Sequence, residues 1–105
     1  MMVIYKMFNA GRIEGFDWDE GNARKSEDKH GVSQADAEQM FFNNPLFLDD
    51  LKHSADEERF QALGATNDGR LLHVTFTMRA DATLIRVISA RPMNAKERMR
   101  YGKET

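Results

Sequence analysis

Residues 59–90, RFQALGATNDGRLLHVTFTMRADATLIRVISA, decide the fold of this chain. Three strand-like runs follow one another within them, separated by turn-forming residues. The first turn, Asn67-Asp68-Gly69, contains Asp-Gly, which is a strong indicator of a hairpin. We therefore predict three antiparallel strands, over 59–65, 71–77 and 83–90, with a second turn over 79–82.

A strand and a helix are predicted before this region. The strand covers 13–18. Asp19 follows it, and its carboxylate can accept the free backbone N–H groups of a helix's first turn. The helix runs to about Lys29, and Gly31 suits the left-handed position that ends a helix. Because this helix has few apolar residues, we expect it to lie on the surface.

A second helix is predicted to begin at Ser33, with Asp36 three residues on as a short form of the capping-box carboxylate. It has a core-facing stripe at helical spacing, formed by Ala37, Met40 and Phe41. The residues at 43–45, Asn-Asn-Pro, stop the helix. We expect a short strand over 46–48 and a polar loop over 49–56.

The last predicted element is a helix capped by Asn94, with Glu97 at capping-box spacing, and closed by Gly102. The element order is then β-α-α-β-β-β-α. Because strands and helices occur in separate runs, the sequence predicts an α+β fold, in which helices pack on an antiparallel sheet, rather than a parallel βαβ fold. The 105 residues fit one domain, 1–105.

The composition excludes several classes of protein. Without cysteine, the chain has no disulfide framework, no thiolate nucleophile and no Cys-ligated zinc site, which fits a reducing cytoplasm. The N-terminal apolar run is too short for a signal peptide, and no apolar stretch approaches the ~20 residues of a membrane span. We therefore expect a soluble, cytoplasmic protein with no membrane partner.

Charge is unevenly distributed along the chain, although the net charge is only −2. Residues 1–69 carry 7 Lys and Arg against 14 Asp and Glu, whereas residues 70–105 carry 8 against 3. A basic face built from the last third could hold a polyanion, while an acidic face repels it or binds another partner. Ordinary solvated helix and strand surfaces would give the same pattern.

Several arginines come from neighbouring antiparallel strands and could converge. Glu57 and Arg59 are two residues apart and share a face if the strand begins there. Arg79 follows the second strand, Arg86 lies inside the third, and Arg91 lies just past its end. A cluster of guanidinium groups suits phosphate binding, because each fork donates two parallel hydrogen bonds. Taken singly, each arginine is better explained by a surface salt bridge, so the hypothesis depends on their convergence.

Of the three histidines, His30 is the candidate for acid–base chemistry. His30, at the end of the first helix, could be a general acid or base near neutral pH, or a cation at the negative end of the helix. His53 lies in the polar loop, and His73 fits a packed position better than a catalytic one. With no i, i+4 histidine pair, no cysteine and no nucleotide-binding or hydrolase motif, we expect neither a metal site nor a cofactor.

Segments spread along the chain match a known pattern in order. FDWDEGNARKSEDKHG at 16–31, followed by Val32-Ser33, resembles the W-D…K-H-G-V-S opening of the BrnT family. HSADEER at 53–59 resembles its H-S-x-x-E-x-R segment, and further matches lie at 63–64, 69–72, 76–79, 88–91 and 97–101. The resemblance covers about 16–101. The chain departs from the pattern at Ser26, where asparagine is expected, and at Gln34, where an aromatic residue is usual.

The resemblance implies a RelE-like fold and a metal-independent endoribonuclease toxin of a type II toxin–antitoxin pair, which cleaves RNA and inhibits translation. The implied partner is a BrnA-like antitoxin, a ribbon-helix-helix DNA-binding protein that neutralises the toxin and represses their shared operon. A dimer or higher complex could form through that antitoxin. The implied reaction is attack of the ribose 2′-OH on the adjacent phosphate.

Roles follow for the candidate residues under this hypothesis. We predict Arg59, Arg79 and Arg91 as phosphate clamps, Glu57 and His30 as the acid and base in either order, and Lys29 and Arg86 as substrate-binding residues. Two other functions stay open. A non-catalytic binding module could dock a basic partner through its acidic stretch at 49–58 and its acidic first helix, and a DNA-binding protein would have a basic helix only at 96–103.

Overall fold

The computed structural model describes residues 2–4, 13–50, 59–80 and 83–104. Within these ranges six strands and three helices follow one another, and no helix is long and apolar enough to cross a membrane. In chain order the elements are β1 (Met2–Ile4), β2 (Gly15–Phe16), α1 (Glu20–His30), α2 (Gln34–Phe41), β3 (Leu46–Asp50), β4 (Phe60–Ala65), β5 (Leu71–Arg79), β6 (Leu84–Pro92) and α3 (Ala95–Glu104).

The six strands form one sheet in the order β1-β3-β4-β5-β6-β2. Its pairings are antiparallel except that β2 runs parallel to β6. The predicted α+β fold is therefore confirmed: an antiparallel sheet with two helices on the N-terminal side and one at the C-terminus. Strand β1 and the parallel pairing of β2 were not predicted.

Helix α1 begins and ends at the residues that the sequence predicted. Asp19 Oδ1 accepts the Asn22 N–H at 3.1 Å, which caps the start of the helix. Gly31 ends it in the left-handed conformation, with φ of 64°. Within α1 only Ser26 is buried, so the expected surface position is confirmed.

Capping boxes begin both α2 and α3. Ser33 Oγ accepts the Asp36 N–H at 3.1 Å, and Asp36 Oδ2 accepts the Ser33 N–H at 3.3 Å. Asn94 and Glu97 exchange the same two bonds, each at 2.9 Å. The prediction that Gly102 closes α3 was wrong. That glycine has no positive φ, and the helix continues for two more residues.

The strands differ from their predicted bounds in length more than in place. β4 begins one residue later than predicted, and β5 and β6 each end two residues later. Only two residues of the strand predicted over 13–18 form strand pairs with β6, although backbone hydrogen bonds from Glu14 to Thr83 and from Asp17 to Ile85 continue the contact on either side. β3 confirms the short strand and includes the first two residues of the predicted loop. The rest of that loop lies outside the described residues.

The register divides the sheet's side chains between two faces. On the face that we call the core face, Val32 and three residues of α2 (Ala37, Met40 and Phe41) pack against residues of the central strands, namely Phe60, Ala62, Leu72, Val74, Phe76, Ile85, Val87 and Ala90. On the opposite face, which we call the α3 face, a smaller cluster joins the sheet to α3 through Leu48, Leu63 and Met93, with Leu46, Leu71 and Tyr101 around them.

A β-bulge interrupts the pairing of β5 with β6. Thr75 pairs with Ser89, but the next residue, Phe76, pairs with Val87. Ile88 is therefore an additional residue in β6. Because side chains alternate along a strand, one extra residue reverses which face the later residues of β6 occupy.

Candidate functional site

Three of the predicted arginines surround Thr77 on the α3 face. Thr77 in β5 pairs with Arg86 in β6. Arg59 directly precedes β4, and the β4–β5 register places it on the other side of Thr77. Arg79 lies two residues further along β5 and therefore shares the same face. We call Arg59, Arg79 and Arg86 the arginine cluster.

The arginine cluster is compact and partly buried. Neighbouring strands lie about 4.8 Å apart, so the Cα atoms of Arg59 and Arg86 are about 10 Å apart across Thr77. Thr77 is buried, and the Nε atoms of all three arginines are buried as well, while the residues themselves keep some exposure. Guanidinium groups gathered on one face of a sheet are suited to binding an anion, because each fork can donate two parallel hydrogen bonds.

One ion pair joins the arginine cluster to the end of β2. Arg86 Nε lies 3.4 Å from Asp17 Oδ2, and the two side chains are 30% and 39% exposed. An ion pair with this exposure contributes at most about 1 kcal/mol. A phosphate dianion or diester can therefore compete with Asp17 for this guanidinium at little cost.

Arg91 lies on the same face but outside the arginine cluster. Arg86 and Arg91 are five residues apart, so a regular strand would place them on opposite faces. The bulge at Ile88 brings both to the α3 face, where Arg91 pairs with His73. His73 is four residues from Thr77, or about 13 Å along β5, and Arg79 lies two residues beyond Thr77 in the opposite direction. Arg91 therefore cannot hold the same phosphate as Arg79.

The guanidinium of Arg91 is held by Glu97 at the start of α3. Two hydrogen bonds of 2.8 Å join the Arg91 fork to the two carboxylate oxygens of Glu97. Burial would raise the pKa of the Glu97 carboxyl, but hydrogen bonds from Arg91 and from the Asn94 backbone lower it below its usual value. The hydrogen bonds to Glu97 raise the pKa of Arg91.

His73 belongs to the same polar group, beneath α3. It is 4% exposed, and its Nε2 lies 2.7 Å from Gln61 Oε1 and 3.7 Å from Glu97 Oε2. The residue is packed, as the sequence predicted. Together with Arg91, these side chains connect β4, β5, β6 and α3.

His30 and Lys29 lie far from the arginine cluster. Both are exposed in the last turn of α1. Arg70 donates to the carbonyl oxygen of His30 at 2.9 Å and to that of Gly31 at 2.7 Å, which fixes the end of α1 beside the start of β5. Arg70 precedes Arg79 by nine residues, or roughly 30 Å of extended strand. The structure therefore does not bring His30 to the arginine cluster.

Glu57, the other predicted acid or base, lies outside the described residues, and so does His53. Arg70 was not among the predicted site residues, although its two bonds determine where His30 and Lys29 lie. Those bonds span 39 and 40 residues of sequence. Patterns among neighbouring residues of the sequence do not predict a contact over that separation.

The helical side of the sheet carries a cleft of about 610 Å³, which Trp18, Arg24, Gln34 and neighbouring residues of α1 and α2 line. None of the predicted site residues lines it. Among the described residues no group of three His, Cys, Asp or Glu side chains is placed to hold a metal ion. The arginine cluster is thus the phosphate-binding candidate in the described part of the chain.

Comparison with known proteins relates this architecture to ribonuclease toxins. A family model described as the ribonuclease toxin BrnT of a type II toxin–antitoxin system matches residues 18–97. The 1.1 Å crystal structure of the Brucella abortus ribonuclease toxin BrnT is similar to this chain, with a TM-score of 0.55 and 26% sequence identity. The match covers 76% of this chain and 96% of that one. None of the curated protein sequences matches. The predicted RelE-like fold is confirmed, and the chain belongs to the BrnT family of type II toxin–antitoxin ribonuclease toxins.

Proposed function

We propose that this chain is an endoribonuclease toxin that cleaves RNA without a metal ion, inhibits translation in the cytoplasm and is neutralised by a cognate antitoxin. The observation that carries the proposal is the arginine cluster around Thr77, in a member of a ribonuclease-toxin family. Each guanidinium fork can donate two parallel hydrogen bonds to phosphate oxygens. Three forks on one side of a sheet suit a single scissile phosphate.

The proposed reaction is internal attack within the RNA. A base removes the proton of the ribose 2′-OH, and the 2′ oxygen bonds to the adjacent phosphorus. The bond from phosphorus to the 5′ oxygen breaks, and an acid protonates that oxygen, leaving a 2′,3′-cyclic phosphate and a 5′-OH. Negative charge builds up on the phosphate oxygens during attack. Preorganised donors such as Arg59, Arg79 and Arg86 stabilise it, and each such donor is typically worth about 10²–10³ in rate.

Glu57 is two residues before Arg59 in the sequence and is our candidate for one of the two proton-transfer roles. In this proposal His30 and Lys29 contact RNA away from the scissile phosphate. Arg91, already bound to Glu97, orients α3 instead of clamping phosphate.

The proposed partner is a BrnA-like ribbon-helix-helix antitoxin. Helices α1 and α2 carry five carboxylates against three cations and lie on the core-face side, away from the arginine cluster. Their surface is suited to a basic partner, because opposite charges steer and orient association.

The first test is expression of the chain without its antitoxin. We expect growth arrest and loss of messenger RNA. The purified protein should cut RNA at an unchanged rate in excess EDTA and should leave 2′,3′-cyclic phosphate ends. An RNA with a 2′-deoxy sugar at the cleaved nucleotide should resist. A parent chain that is harmless, cuts no RNA and still binds a ribbon-helix-helix partner would instead be a non-catalytic binding module.

The second test is Arg79→Ala, which removes one fork of the arginine cluster. We expect RNA cleavage to slow by about 10²-fold or more, because a preorganised donor to the transition state is lost. The matched control is Arg24→Ala, which removes an exposed arginine of α1. Cleavage by Arg79→Ala at the parent rate would take Arg79 out of the site.

A further inference from the structure

The exposed side of α3 carries a line of cations. Lys96, Arg100 and Lys103 are separated by four and three residues, so they lie on one face of the helix, and Met99 lies among them. These four residues, which we call the α3 stripe, line a surface depression of about 360 Å³ together with Glu104. Met99 is 66% exposed.

Glu97, one of the two acidic residues of α3, does not neutralise the α3 stripe. Glu97 is turned toward the sheet by its bonds to Arg91 and Asn94, so its charge is compensated there. Of the described residues that line the depression, Glu104 carries the negative charge, and it lies in the last turn of the helix. The stripe is therefore a basic surface.

The α3 stripe and the arginine cluster lie on the same side of the sheet. Tyr101 of α3 packs against the group that contains Leu63. Leu63 pairs with His73, four residues or about 13 Å along β5 from Thr77. A single-stranded RNA of a few nucleotides can extend from one surface to the other.

We propose that the α3 stripe is a second binding surface for the RNA backbone, which holds the substrate beyond the scissile phosphate. The inference rests on the proposed nuclease function and deepens it. RNA suits this surface because two of its three cations, Lys96 and Lys103, are lysines, a residue type in which protein interfaces are depleted. Cations spaced along a helix are the electrostatic footprint of a nucleic-acid contact, and Met99 gives a base a polarisable apolar neighbour.

The test variant is Lys96→Gln combined with Arg100→Gln. Its control is Arg24→Gln, which removes an exposed cation of α1 at a position that the proposal does not place on RNA. The probe is a fluorescent single-stranded 2′-O-methyl RNA of about 20 nucleotides, which has no 2′-OH and cannot be cut. We expect the test variant to bind about tenfold more weakly, and the dependence of log affinity on log salt to flatten by about 1.4, or 0.7 for each lost cation. The control should bind like the parent.

Cleavage kinetics separate this surface from the cleavage site. On unmodified RNA of the same length, the test variant should show a KM about tenfold higher and an unchanged kcat. A dinucleotide, too short to reach α3, should be cut at the parent rate. An equal loss of activity on the dinucleotide, or an RNA affinity and salt dependence like those of the parent, would overturn the proposal.

Two further outcomes distinguish the alternatives. If the test variant binds RNA like the parent but no longer binds the antitoxin, the stripe belongs to a protein partner and the RNA proposal fails. If the parent cuts no RNA at all, the proposed nuclease function fails, and binding of the 2′-O-methyl probe still decides whether the stripe holds RNA.

Discussion

Ser26 joins α1 to the sheet through one hydrogen bond, which its buried hydroxyl accepts. It is 5% exposed, and its Oγ accepts the backbone N–H of Ala90 in β6 at 3.1 Å. Ala90 is 1% exposed, so water does not reach this N–H. The BrnT pattern has asparagine at this position, and both side chains present an oxygen that can accept the bond. The chemistry of the contact is therefore compatible with the departure from the pattern.

We expect Ser26→Ala to lower the free energy of unfolding by about 1–3 kcal/mol, because the buried Ala90 N–H loses its acceptor. Urea denaturation measures the change. Ser89→Ala is the matched control, since Ser89 is an exposed serine in the same strand, and its effect should stay within about 0.5 kcal/mol. Equal effects of the two substitutions would show that the Ser26 bond contributes nothing.

Glu97 makes stability depend on pH. Its pKa in the folded protein is below the ordinary value of 4.5, because hydrogen bonds from Arg91 and Asn94 outweigh burial. The unfolded chain recovers the ordinary pKa, so the carboxylate's contribution is complete well above pH 4.5 and is lost as pH falls through the folded pKa. We expect Glu97→Gln to be less stable than the parent at neutral pH.

The difference between Glu97→Gln and the parent should shrink steadily as the pH is lowered from about 5 toward 3. Urea unfolding of both proteins across that range tests this. Asp28→Asn, which changes an exposed carboxylate on α1, is the control and should keep the pH dependence of the parent. A gap between Glu97→Gln and the parent that stays constant with pH would contradict the assignment.

At the scale of elements, two glycines show why helix ends are only partly readable from sequence. Gly31 ends α1 with φ of 64°, as predicted, whereas Gly102 lies inside α3. The capping boxes at Ser33 and Asn94 were predicted correctly, because each depends on two residues three positions apart. A single glycine carries less information, since it fits both a helix end and, at some cost, a helix interior.

The two glycines should respond to alanine with opposite signs. Gly31→Ala should destabilise the protein by about 1–2 kcal/mol, because alanine is strained in the left-handed conformation. Gly102→Ala should stabilise it by about 0.5–1 kcal/mol, because alanine is the better helix former and a Cβ there meets no atom within 4 Å. Thermal or urea unfolding of both variants tests this, and shifts of the same sign would contradict it.

At the scale of the whole molecule, the sequence predicted the order of the central strands but not the places of β1 and β2 in the sheet. The turn around Gly69 and the turn predicted over 79–82 give the order of the three central strands from local residues alone. Strands of two or three residues, such as β1 and β2, have no periodicity to detect, so their places in the sheet were not predictable. The α+β fold class was still predicted correctly, because it depends on the long strands.

The grouping of the arginines depended on register. Arg59, Arg79 and Arg86 lie on one face around Thr77 because strand alternation holds between them. Arg91 lies on the same face only because of the bulge at Ile88, which the alternation of residues in the sequence does not predict. It also lies too far along the strand to belong to the arginine cluster. The position of His30 depends on the contacts of Arg70, which link residues about forty apart.

The outer side of β6 is a nine-residue edge, and among the described residues only the two of β2 pair with it directly. The Asp17 N–H continues that contact at Ile85, and the Ser26 hydroxyl occupies the N–H of Ala90 near the other end. An open strand edge is a template on which a second chain can add a strand, and aggregation begins in this way. Strand β2 and the Ser26 hydroxyl each cover part of this edge. Weakening either contact should therefore produce concentration-dependent self-association while the monomer is still folded.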